Sequence, residues 1–227
     1  MIVPACRRSR ADGGLWYPTY MQPESRFTHA MYHMVRIAAA IAASPLAGVR
    51  RVMQQSIGHV SADAVDELLL QSYLFSGFPR TLNAAGAWRE ISGIEAPRSD
   101  VSAWMGAAQD WYDRGELVCR AVYGTRYDTL RNNVRRLHPA LDAWMVTDGY
   151  GKILGRPGMS LTERELCIVA SCAAGEQLPQ LRAHMRGALN CGATRDDIAQ
   201  TLDALTDVVP DETLVTAREE LTRMREV

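Results

Sequence analysis

The stretch EQLPQLRAHMRGALNCGATRDDI, residues 176–198, decides the fold. Leu178, Leu181, Met185 and Ala188 recur at helical spacing and make one apolar face, so the spacing predicts a helix over 176–190. Gly192 sits where that helix needs a left-handed residue to stop. Thr194 with Asp197 three residues on fits a capping box for the next helix. Gln177, Gln180 and His184 fall on one stripe beside the apolar face. His184 is thereby placed at the edge of the core, where burial and neighbours tune an imidazole.

The same periodicity runs through the chain, while the β-branched alternation of strands never runs for long. Helices are expected at about 27–42, 46–57, 62–75, 80–91, 100–122, 126–147, 161–174, 176–190, 195–205 and 211–225. The fold class is all-α. A weak internal repeat accompanies this pattern: VRRVMQQSIGHVSADAVDELL (49–69) aligns on RAHMRGALNCGATRDDIAQTL (182–202), matching the N-cap Ser61 to Thr194 and Arg51 to His184. Both copies then meet a break, at Pro79 or Pro210, and a closing helix. The chain reads as two tandem units: a tail at 1–26, a first and degenerate unit at 27–91, a linker and the start of a connecting helix at 92–110, and a second unit at 111–227. SGIEAPRSD (92–100) supplies the Ser, Gly and Pro of the linker.

Composition bounds the function. A chain of 227 residues can bury a real core, and a net charge of −1 speaks against a large nucleic-acid footprint. The clusters Arg7, Arg8, Arg10 and Arg131, Arg135, Arg136 are at most local patches. Residues 1–26 carry Arg, Pro and Gly where a signal peptide needs an apolar run, and no apolar run reaches membrane-spanning length; a cytoplasmic address and no membrane partner are expected. The five cysteines form no CxxC and read as buried thiols. The histidines look too dispersed to ligate a metal, so neither metal nor cofactor is expected.

Glu165, in TERELCIVASC, lies near the start of the helix before His184. A short turn around Gly175 would set the two helices antiparallel and let Glu165 meet His184. A carboxylate beside an imidazole is the minimal pair for moving a proton next to a carbonyl, or for protonating the carbanion left by decarboxylation. A histidine at a helix edge also suits a purely structural role.

The segment RGELVCRAVYGTRY…GYGKILGRPGMSLTERELCIVA…QLRAHMRGALNCGATRDDI resembles the carboxymuconolactone decarboxylase and AhpD-like (alkylhydroperoxidase) family across about 114–205. DELLLQSYLFSGFPRTLNAAGAWRE (66–90) looks like the closing half of the same unit. The resemblance implies an AhpD-like helical bundle whose units assemble into rings of three or six. For a duplicated chain this implies a homo-oligomer, with a trimer preferred and a dimer as the alternative. In the AhpD-like branch a relay glutamate precedes Cys-x-x-Cys-x-x-x-His. Glu165 and His184 match the relay and the histidine, but Gln177 and Gln180 stand at the cysteine positions, and an amide can neither attack a peroxide nor resolve a sulfenic acid. In the decarboxylase branch the histidine stays without cysteines. His184, Arg120, Arg156, Pro157, Gly158 and Arg164 match it, while Gln180 replaces a carboxylate.

The reading that results is cofactor-free proton-transfer chemistry, decarboxylation or isomerisation, on a small carboxylate or lactone. His184 is the expected acid/base and Glu165 its partner. Gln180 and Gln177 are expected at the substrate, Gln180 orienting an oxygen, and Arg156 with Arg164 are the expected carboxylate anchors. A catalytically silent, oligomeric scaffold is the alternative. In the first unit Tyr32, His33 and Arg51 fall at the corresponding positions.

Overall fold

The computed structural model describes residues 27–103 and 105–224, and every regular element among them is helical. In chain order these are α1 (His29–Ala43), α2 (Leu46–Ser56), α3 (Ala62–Ser92), α4 (Ala108–Tyr123), α5 (Tyr127–Leu137), α6 (Pro139–Trp144), a π-helical segment (Met145–Leu154), α7 (Leu161–Ala174), α8 (Leu178–Asn190), α9 (Arg195–Asp203) and α10 (Asp211–Arg223). Cys6, read above as a buried thiol, and Arg7, Arg8 and Arg10, read as a local patch, lie outside the described residues.

Two helices form the centre. α1 and α7 are apolar on nearly every side and pack on each other, as a helix without a polar face must. α2 and α3 cover α1, and α8, α9 and α10 cover α7. Three caps read from the sequence are in place: Ser61 accepts from Ala64 N, Thr194 and Asp197 close a reciprocal box, and Gly192 has φ +98°. A further box, Ser160 with Glu163, starts α7. Among the described residues no helix is long and apolar enough to cross a membrane.

Three departures from the expected helices have physical causes. The helices foreseen at 62–75 and 80–91 run on as one element, broken at Gly77, whose φ of +77° only glycine adopts freely. Pro79 follows at once, and its ring restarts the helix without an N–H that needs a partner. The helix expected from 100 begins at Ala108, after a short 3-10 turn at Val101–Ala103. The helix expected over 126–147 is interrupted at His138, where extended backbone precedes Pro139, and then continues as π-helix to Leu154. That π-helical run lies against α4 with backbones touching: a Cβ at Gly115 would stand 2.0 Å from the Val146 carbonyl oxygen, and one at Gly151 2.0 Å from that of Trp111.

Arginine pairs tie these layers. Arg36, buried on α1, reaches Asp207 and the Ala204 carbonyl beyond α9. Arg131 and Arg135 do not form a basic patch. Both clasp Asp142 across the α5–α6 corner, and Arg131 also donates to Glu116 on α4 at 3.0 Å.

Candidate active site

α7 and α8 are antiparallel neighbours joined through the turn at Gly175 and Glu176, which brings Glu165 and His184 together. Glu165 Oε2 lies 2.9 Å from His184 Nδ1, and both residues are buried. With Nδ1 held by the carboxylate, Nε2 is the ring nitrogen left for a ligand. The carboxylate fits because residue 187 is glycine: a Cβ there would stand 2.5 Å from Glu165 Oε2 and 2.7 Å from Val122 Cγ1. The GAL run after His184 thus has a steric reason.

His184 lines a cavity of about 580 Å³. Its wall comes from Tyr73, Leu74 and Phe75 of α3, Tyr123 of α4, Leu130 and Val134 of α5, Leu141 and Trp144 of α6, Met145, Asp148, Gly149, Tyr150 and Leu154 of the π-helical segment, and Pro179, Gln180 and Ala183 of α8. π-Helical turns recur at functional sites, and here one turns Met145, Asp148 and Tyr150 toward the same space. Phe75 meets the His184 ring edge to face at 5.5 Å, and Tyr123 lies 6.3 Å away. The Tyr123 and Tyr150 rings meet edge to face at 6.1 Å, and burial pushes both phenols well above their ordinary range. Both are therefore neutral hydroxyl donors at physiological pH. Neither was singled out from the sequence, where a tyrosine on a helix reads as packing. Asp148, the one carboxylate in the wall among the described residues, is paired with Lys152 at 2.7 Å.

The other expected site residues separate. Gln180 lines the cavity one turn before His184. Gln177 does not share that stripe: Pro179 sits in the first turn, α8 begins at Leu178, and Gln177 is its exposed N-cap, donating to the Gly175 carbonyl at 2.8 Å. Arg156 and Arg164 are not anchors in this cavity. Glu67 of α3 takes both guanidiniums, Arg156 through Nε and Nη2 and Arg164 through Nη2 at 2.8 Å, and Arg164 is wholly buried. Asp100 closes the group on Arg156 at 2.8 Å. Arg120 packs over the Tyr127 ring, 3.9 Å from its centroid. Of the residues expected at matching positions nearer the N-terminus, Arg51 reaches the Asp207 carbonyl at 3.3 Å, and Tyr32 lies under Arg36.

The described cysteines, Cys119, Cys167, Cys172 and Cys191, are buried and unpaired. Burial raises all four thiols, to about 12 for Cys119, Cys172 and Cys191 and further for Cys167, so none is a thiolate at neutral pH. The histidines are not dispersed as expected: His29, His33 and His59 meet at the start of α1.

Residues 139–222 match the carboxymuconolactone decarboxylase family. That span includes Glu165, Gln180 and His184, together with the π-helical wall. The chain is also 28% identical over 188 residues to peroxisomal protein 2 of Schizosaccharomyces pombe, covering 82% of this chain and 83% of that protein. Peroxisomal protein 2 of Saccharomyces cerevisiae is 22% identical over 157 residues, 58% of this chain and 56% of the yeast one.

Proposed function

We propose that Glu165 and His184 are an acid/base pair that moves a proton next to the carbonyl of a small, largely apolar lactone or ketone, an isomerisation without a cofactor. The observation that carries this reading is the buried Nδ1 to Oε2 contact at the wall of an aromatic cavity. Glu165 fixes the tautomer and offsets the charge that His184 gains when Nε2 takes a proton from the carbon beside the carbonyl. The resulting enolate oxygen accepts from neutral donors, of which Tyr123, Tyr150 and the Gln180 amide line the same space. His184 then returns the proton to a different carbon, so substrate and product have the same atoms. Among the described residues the wall offers no guanidinium to a carboxylate, which favours isomerisation of an uncharged substrate over decarboxylation of an acid.

Deuterium uptake tests this. Small lactones and cyclic ketones incubated with the protein in deuterated buffer should exchange at the carbon beside the carbonyl. His184→Ala and Glu165→Gln should each slow exchange by about a hundredfold. No exchange with any member of the panel, or equal exchange by His184→Ala, overturns the reading.

Self-association as a trimer remains part of the proposal. It is supported by apolar side chains left on the surface, Phe78 at 62%, Leu82 at 64% and Trp144 at 59% exposure among them. The shared succession of a central helix, its antiparallel partner and a capped third helix in α1–α3 and α7–α9 supports the duplication. For location, the names of the two yeast relatives favour a peroxisomal address over the cytoplasmic one. Microscopy of the tagged chain in its own cells distinguishes the two.

A further inference from the structure

His29 and His33 stand one helical turn apart on α1, so their side chains share a face. His59 arrives from the turn between α2 and α3, where Gly58 has φ +80°. The three rings pack within 4.8 Å of one another, centroid to centroid: His29 against His33 at 4.8 Å, His29 against His59 at 4.7 Å, and His33 against His59 at 4.6 Å. His33 is 7% exposed, and neither of its ring nitrogens has a hydrogen-bond partner among the described residues. A buried imidazole with both nitrogens unsatisfied is costly, and a native structure keeps one where something completes it.

We propose that His29, His33 and His59 form a three-histidine site for a divalent transition metal of the zinc class. One ligand nitrogen from each residue lies within 4.8 Å of the others, whereas a tetrahedral zinc with bonds of about 2.0–2.1 Å needs them about 3.4 Å apart. Turning the exposed rings of His29 and His59 closes that gap around the fixed His33. The metal binds neutral imidazole nitrogens, and both ring nitrogens of His33 are without a partner among the described residues. The Arg36 charge is compensated by Asp207, which removes a strong objection to a cation nearby. Tyr32, exposed at 37%, stands edge-on to His33 at 5.3 Å. Three histidines leave the fourth position of the metal open to solvent or a ligand. The cluster shares no residue with the His184 cavity, so it stands or falls separately from the acid/base reading.

The test is zinc binding by the full-length chain, read by competition with a colorimetric chelator. One zinc per chain is expected. His33→Ala should weaken binding by more than the about hundredfold loss typical of a disturbed supporting residue. Because His33 is buried, His59→Gln at an exposed position provides the same loss without touching the core, and circular dichroism checks its fold. His138→Ala, at the exposed N-cap of α6, should bind zinc as the parent does. Cobalt in place of zinc should give the visible bands of a four-coordinate nitrogen site, lost in His59→Gln. Absence of binding with zinc in large excess, or equal affinity in a folded His59→Gln, overturns the proposal.

Discussion

Gly187 lies so close to Glu165 that the carboxylate occupies the space a side chain at 187 would need, with 2.5 Å between Oε2 and the position of a Cβ. Glycine inside a helix costs about 1 kcal/mol against alanine, so its presence in α8 trades helix stability for the position of that carboxylate. Gly187→Ala should therefore recover helix propensity and lose the site. Crowding of about 1–3 kcal/mol cancels the gain, leaving the melting temperature little changed or lower, while Glu165 is driven off His184. The imidazole nitrogen shifts of His184 in NMR spectra should move in Gly187→Ala and match those of Glu165→Gln.

Glu67 is the counterion of two arginines, one of them fully buried. Glu67→Ala leaves Arg164 charged and without its carboxylate, and should destabilise the fold by about 3–5 kcal/mol in urea titrations. If the arginines instead served a bound carboxylate, the same variant would be nearly neutral in the absence of ligand.

The thiols give a prediction on reactivity. At neutral pH, iodoacetamide should leave Cys119, Cys167, Cys172 and Cys191 unlabelled in the native protein and label them all after unfolding, as peptide mass spectrometry will show. Any exchange activity at His184 should survive the native treatment.

Stability should fall on the alkaline side. Cys119, Cys172 and Cys191 titrate near 12 when folded, against an ordinary value of 9.0. Below pH 9 both folded and unfolded chains keep these protons, and the contribution is fully present. Above it the unfolded chain releases them first, so the native state loses stability progressively up to about pH 12. Thermal melts across that window should show the loss, and Cys119→Ala should flatten it.

Light scattering on the purified chain should give a mass near three copies. A monomer at micromolar concentration would contradict the trimer, and a dimer would indicate that one half has lost its ring contacts.

The helical class and the Glu165–His184 contact were legible because each rests on local spacing: caps at Ser61 and Thr194, an apolar period in 161–190, and a turn short enough to force α7 and α8 antiparallel. Gln177 was misplaced because Pro179 shifts the helix start by two residues, which a stripe drawn from 176 ignores. Arg156 and Arg164 looked free for a ligand because their partner, Glu67, lies 89 and 97 residues away, a separation no local pattern reports. The histidine cluster had half a signal. His29 and His33 carry the i, i+4 spacing of a ligand pair, but His59 joins them only through the packing of α2 on α1.

The break at Gly77 has a consequence for how such a site changes over time. The turn of α3 just before it carries Tyr73, Leu74 and Phe75 into the cavity, whereas the proposed acid/base pair, Glu165 and His184, sits far along the chain, inside the span 139–222 that matches a family. Part of the cavity wall thus lies on a stretch of chain separate from the proposed acid/base pair. Substitution at three neighbouring positions on α3 can admit a different ligand while Glu165 and His184 keep their contact. Two proteins with the same sequence over 139–222 can therefore differ in what they accept, and a survey of relatives for substrate preference should sort them by residues 73–75.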